Sequence, residues 1–279
     1  MTSRRGAWSP LLVAGLVIVA TLAVVALLGP LIAPYDPHAL SGDAVEPPSR
    51  DHLLGTNDIG QDIFSEVVIG TRSSLGVALP AAALALIIGV MVGVGGALRG
   101  GRTGAVTMRV VDGFLALPGF PLVILLAALT GGSPLALILV ITMAGWPQLA
   151  RVLHSQTLPL RDRGFVRAAR GFGAPPRYVI LRHLVPALGP TAAAGFVQWA
   201  ATAVVLESGL TFLGLGDPTA VSWGAILNRA LEYQGLYYGS LWVWWVLPAG
   251  FAITLAALGF TFVGVGLEPT FNPKWRRAL

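Results

Sequence analysis

Six apolar runs, each near the length of a membrane helix, alternate along the chain with more polar stretches; they cover residues 11–33, 75–98, 110–130, 135–150, 190–215 and 241–266. A bilayer core of about 30 Å takes about 20 residues of helix. The pattern therefore predicts an all-α, polytopic membrane protein with six transmembrane helices. The fourth run is the shortest, and Trp146 followed by Pro147 predicts an interfacial end or a kink there. In the second, Gly89 and Gly93, then Gly96 and Gly100, recur at four-residue spacing, which predicts close helix approach. Two of the polar interruptions are long. Residues 35–72 are acidic and contain proline, and residues 151–189 carry many arginines. Within the second, Phe165, Ala168, Ala169 and Phe172 fall at i, i+3, i+4 and i+7, opposite Arg163, Arg167 and Arg170. Gly173 and Pro176 then predict a stop and a new start, so that residues 164–186 form a helix, a break and a second helix that packs one side and wets the other. The expected organisation is a tip and first helix (1–34), an extracytoplasmic loop (35–72), a five-helix core with a cytosolic loop at 151–189 (73–267), and a basic tail (268–279).

Composition agrees with the periodicity. The 279 residues are 55% hydrophobic and 11% charged, with a mean hydropathy of +0.75, too apolar for a soluble domain. The net charge of +5 changes meaning once the cations are placed. With the N-terminus in the cytosol, Arg4, Arg5, Arg99, Arg102, Arg109, Arg151, Arg161, Arg163, Arg167, Arg170, Arg177, Arg182, Lys274, Arg276 and Arg277 fall on one side, and Arg50, Arg72 and Arg229 on the other. Most acidic residues fall opposite the cations. Positive loops stay inside, so both termini are expected in the cytosol, with the lipid bilayer and no nucleic acid as the partner of this surface. Arg4 and Arg5 before an apolar run also fit a secretory or twin-arginine signal. The run is too long, however, no small-x-small site ends it, and five more spans follow, so a retained helix is expected. The absence of cysteine excludes disulfides, thiolate metal sites and cysteine nucleophiles.

Arg167, Ala168, Ala169, Gly173, Arg177, His183 and Pro186 carry the most informative motif. Ala168, Ala169, Gly173 and Pro186, with His183 and Val185 between, resemble the cytosolic signature of permease subunits of binding-protein-dependent ATP-binding-cassette importers. That signature reads Glu-Ala-Ala, three residues, Gly, nine residues, an apolar position, any residue, Leu-Pro. Arg167 stands where it has Glu. A second stretch, His52, Gly55, Thr56, Asp58, Gly60, Asp62, Ser65, Gly70, Arg72, Ser74 and Leu75, resembles a block of the branch that imports dipeptides, oligopeptides or nickel, with departures at Asn57, Gln61 and Glu66, where that branch commonly has Asp, Arg and Arg. A third, Glu207, Leu210, Phe212–Gly216 and Ser222-Trp223-Gly224, resembles elements of the C-type permeases of the same branch. The likeness thins over residues 260–268, where Thr261, Val265 and Glu268 depart.

The resemblance implies a type I importer permease fold in a bacterial-type inner membrane. It further implies a second, B-type permease, two cytosolic ATPase subunits docked on the loop, and an extracytoplasmic binding protein that delivers a dipeptide or oligopeptide. Nickel or another small solute is the alternative cargo. ATP and magnesium would sit on the partner subunits and no cofactor on this chain. No Walker A loop is present, since the only lysine, Lys274, precedes Trp275, so no enzyme is expected. An ion-coupled secondary transporter would call for inverted repeats or mid-membrane charge pairs, and an intramembrane enzyme for histidines within spans; neither pattern is visible in the sequence. His52, Asp58 and Asp62 are read as turn formers and not as a metal site. Asp112 is expected to pair with Arg109 at a helix end. Glu207, toward the outer end of the fifth span, is either a gate contact or a structural hydrogen-bonding group.

Overall fold

The computed structural model describes residues 9–271; Arg4, Arg5, Lys274, Arg276 and Arg277 lie outside them. The described residues form helices joined by loops, with one isolated bridge between Thr56 and Asp62. Serine or aspartate caps open four helices: Ser9 for α1 (Pro10–Ile32), Asp62 for α2 (Ile63–Arg99), Ser133 for α5 (Pro134–Arg161) and Ser222 for α9 (Trp223–Glu232). Each cap's side chain accepts a first-turn amide that has no helical partner. Between them lie α3 (Gly101–Ala116), α4 (Gly119–Leu129), α6 (Gly164–Gly171), α7 (Pro176–Val179) with a π-helical turn at Ile180–Leu184, and α8 (Val185–Phe212). Helix α10 (Leu241–Phe271) closes the chain's described part.

Among the described residues five helices are long and apolar enough to cross a membrane, or six if α3 and α4 count as one bent span. The predicted third span is in fact broken by 83°. Leu117 precedes Pro118 and is extended (φ −74°, ψ 142°), because the proline ring disfavours the helical region for the residue before it. The pair still runs from one end of the bundle to the other, since Gly100 lies against Arg161 and Gly132 against Leu215 and Gly216. The fourth span is also longer than expected, at 28 residues. Trp146 and Pro147 are buried inside it and mark neither an interfacial end nor a boundary. Trp146 packs edge-on against Phe114 of α3, ring centroids 5.1 Å apart.

Helix α2 is central and packs against α1, α5, α8 and α9. The glycine spacing serves this packing: a Cβ on Gly93 would run into the Ala150 carbonyl of α5, and one on Gly89 would lie 2.8 Å from the Leu149 Cβ. Helix α1 leans on α10 through Gly15, Gly259 and Gly266, a contact the sequence pattern did not announce. Its other faces expose Val17, Val24, Leu27 and Leu31, a surface suited to hydrocarbon.

Candidate functional site

The bundle has two chemically different ends. At one, the turn between α2 and α3 meets the turn after α5, where Arg161 Nη1 donates to the Ala97 carbonyl at 2.9 Å. Helices α6 and α7 continue from there. Helix α6 stops where expected: Gly173 takes φ +80°, and the Ala174 amide closes back on the Ala169 carbonyl at 3.0 Å. This left-handed cap is open to glycine without strain. The packing face differs from the expected one. Val166, Val179 and Leu184 are fully buried against Leu153, Val94 and Leu188, with Ala169 beside them. Phe165 and Ala168 point outward instead, and Phe172 is 92% exposed. An eight-residue helix with apolar residues on two faces can seat only one of them, and the smaller Val166–Ala169 face fits the bundle. Arg167, Gly173, Arg177 and Pro186 are exposed as well. His183 is half-buried between Phe165 and Tyr178, with ring centroids 5.7 Å from each. The result is an open apolar and aromatic surface of Phe165, Phe172, Tyr178 and Leu181 set among arginines.

The opposite end is built from the loop before α2. Asp62 Oδ2 accepts from the Ser65 amide and hydroxyl at 2.8 and 2.7 Å, while its Oδ1 holds His52 Nδ1 at 3.0 Å. Thr56 accepts from the Glu46 amide and donates to the Asp43 carbonyl, and Gly55 and Gly60 turn the chain at positive φ. Asp62 is thus a cap and His52 its buried partner. The turn-forming side chain is Asn57, whose Oδ1 accepts from the Ile59 and Gln61 amides. Asp58 is half-buried and takes no such role. Arg72 already lies within α2 and is exposed. Among the described residues no cluster of three His, Asp or Glu could hold a metal ion.

Sequence reasoning missed the network that joins this loop to α9. Arg229 Nη1 donates to Gln61 Oε1 at 2.6 Å and to Glu66 Oε1 at 3.2 Å, and Asn57 Nδ2 donates to the same two oxygens. The three positions read as departures from the branch pattern are therefore a single cluster, completed by a cation more than 160 residues away. Their joint departure was the available signal. Arg229→Met is expected to cost about 2–3 kcal/mol, less than the roughly 3–5 kcal/mol of breaking a fully buried pair, because Arg229 stays partly exposed while Glu66 does not. Adding Glu66→Gln should recover most of that loss, as read by the thermal midpoints of the single and double variants in detergent.

The Ser222-Trp223-Gly224 element has a structural explanation in the same region. Ser222 caps α9, and Trp223 is fully buried, with Nε1 donating to the Val67 carbonyl at 3.1 Å and its amide donating to Ser74 Oγ at 3.2 Å. A Cβ on Gly224 would strike the Ser208 carbonyl and Thr211 Oγ1 of α8. The whole-chain comparison now decides the family: residues 74–277 match the binding-protein-dependent transport system inner membrane component, and residues 8–51 the N-terminal TM domain of oligopeptide transport permease C.

The chain belongs to this family of inner-membrane permeases.

Among its relatives is the oligopeptide transport system permease protein OppC of Bacillus subtilis, 34% identical over 267 residues, covering 94% of this chain and 85% of the relative. The dipeptide transport system permease protein DppC of the same organism is 36% identical over 281 residues, covering 98% and 85%. In this multi-pass permease, Glu207 is buried in α8, accepts from Ser208 Oγ at 3.2 Å, and lines a cavity of about 320 Å³ with Arg72, Asp217 and Ser222. Thr219 donates its hydroxyl and amide to Asp217, holding that exposed carboxyl below its ordinary range. Asp112 pairs with Arg151 of α5, not with Arg109; both partners are about half exposed.

Proposed function

We propose that this permease forms half of the translocation pathway of an ATP-driven peptide importer. The observation that carries the reading is the uncovered surface of Phe165, Phe172, Tyr178 and Leu181 at the arginine-rich end. Contiguous apolar surface rimmed by polar groups marks an interaction site, and positive loops favour the cytosol, so the partner is a cytosolic protein. In a chain without a Walker A loop, the energy comes from that partner, a pair of ATPase subunits that bind ATP and magnesium. Arg167, Ala168, Ala169, Gly173, Arg177, His183 and Pro186 form the coupling loop. A second permease completes the pathway, and an external binding protein delivers cargo to the end built by residues 35–72. The names of the relatives favour peptides over nickel.

The test is isolation of tagged chain from native membranes in mild detergent. Co-purification of one further permease and ATPase subunits, in a complex whose ATP hydrolysis rises with peptide-loaded binding protein, is expected. A folded chain that comes alone and takes up solute on an ion gradient would overturn the reading.

A further inference from the structure

The open face between α5 and α8 carries an arrangement that none of the motifs predicted. A cavity of about 570 Å³ lies there, lined by Gln148 and Val152 of α5, Thr191, Gln198 and Thr202 of α8, and Gly264 of α10, among others. Gln148 and Gln198 are both exposed. Gln148 lies 14 residues in from Pro134, the start of α5, and Gln198 lies 14 residues in from Phe212, the end of α8. At 1.5 Å per residue both sit about 21 Å from the same end of the bundle, well inside a hydrocarbon core of about 30 Å. Two primary amides at one depth on one open face cannot rest against lipid tails, since each polar group left without a partner in hydrocarbon costs several kcal/mol. Water, solute or protein covers them.

The chemistry of the lining narrows the choice. Among the described residues around this cavity none is charged, whereas the cavity nearer the opposite end holds Arg72, Glu207 and Asp217. Thr202 Oγ1 is already engaged by the Gln198 backbone carbonyl at 3.3 Å, which leaves the Thr191 hydroxyl and the two glutamine amides as uncommitted polar side chains lining the space. Each amide offers two donors and one acceptor, the complement of a peptide's own C=O and N–H. Resting on the importer reading above, we infer that Gln148 and Gln198 form an uncharged wall of the translocation pathway that hydrogen-bonds the main chain of a passing peptide. Such a wall reads the amide backbone and not the side chains, so it serves peptides of varied sequence, and a charge-free lining does not trap acidic or basic residues.

The chain has no cysteine, so a single introduced thiol is its only one. Gln148→Cys and Gln198→Cys are compared with Leu27→Cys, which lies on the exposed face of α1, in the assembled importer, by reaction with a charged, water-soluble methanethiosulfonate. The probe is a mixture of di- to pentaalanine with loaded binding protein and ATP. Both glutamine positions are expected to react at least tenfold faster than Leu27→Cys and to be slowed severalfold by the peptides, with Leu27→Cys unaffected. Thiols that react in the isolated chain but are blocked in the complex, whatever the peptide, would make this face an interface with the second permease and overturn the inference. Reaction that peptide never slows, in a complex that still transports the mixture, would make the wall water-lined but not peptide-binding and overturn it too. Failure of the wild-type complex to transport peptide would count against the importer reading itself, and so is distinguishable.

Discussion

Phe172→Glu combined with Leu181→Glu should release the ATPase subunits and abolish peptide uptake while the chain itself stays folded. The two side chains are 92% and 70% exposed, so neither contributes to the bundle's core, and a charge at either position meets water in the free chain. In a docked complex both would be desolvated. Anchor residues at such interfaces are worth 2 kcal/mol or more each, and every 1.4 kcal/mol is about tenfold in affinity. A combined weakening of roughly a thousandfold follows, enough to empty the complex at ordinary concentrations. The thermal midpoint of the isolated chain should move by less than about 2 °C, a shift below 1 kcal/mol for a protein of this size. The contrast with Ala169→Glu is informative, because Ala169 packs inward with Val166 and Val179. That change should unfold the loop itself, losing docking and local order together. Co-purification and midpoint, measured on both variants, separate a docking surface from a cap on the bundle.

Trp223→Ala should be the most destabilising single change outside the coupling loop, at about 3–5 kcal/mol, the range for removing a buried aromatic. Trp223 fastens α9 to the first turns of α2 through its ring nitrogen, its amide and its full burial. Losing it leaves the Val67 carbonyl without that donor and opens a void beside Gly70, where a Cβ would lie 3.2 Å from the indole. Trp223→Phe keeps much of the volume and drops one hydrogen bond, so about a third of the loss is expected, close to the cost of a typical hydrogen bond. Thermal unfolding of both variants in detergent reads the difference, and equal midpoints for Ala and wild type would show that α9 does not depend on this anchor.

Local chemistry was legible where neighbours along the chain decide the outcome. The stop at Gly173 and the close approach at Gly89 and Gly93 were read from a few residues each, and the structure has both. The bend at Leu117–Pro118 was also written locally, as a residue ahead of proline, but an unbroken apolar run concealed it. Which face of α6 packs could not be read from α6 alone, since Val166 becomes core only because Leu153, Val179 and Leu184 surround it. The same holds for Arg151 with Asp112 and for Arg229 with Glu66, pairs that exist only once distant helices meet. The candidate site was therefore visible as motifs, and its outward-facing chemistry only as a folded surface.

The most direct test of the importer reading is uptake of labelled alanine peptides by vesicles reconstituted with the whole complex, with ATP on the side of α6 and α7 and binding protein on the other. Accumulation that requires both, and that vanishes in the Phe172→Glu, Leu181→Glu variant, is expected. Uptake by this chain alone on an ion gradient, indifferent to ATP and to those two substitutions, would contradict an ATP-driven half-importer coupled through this loop.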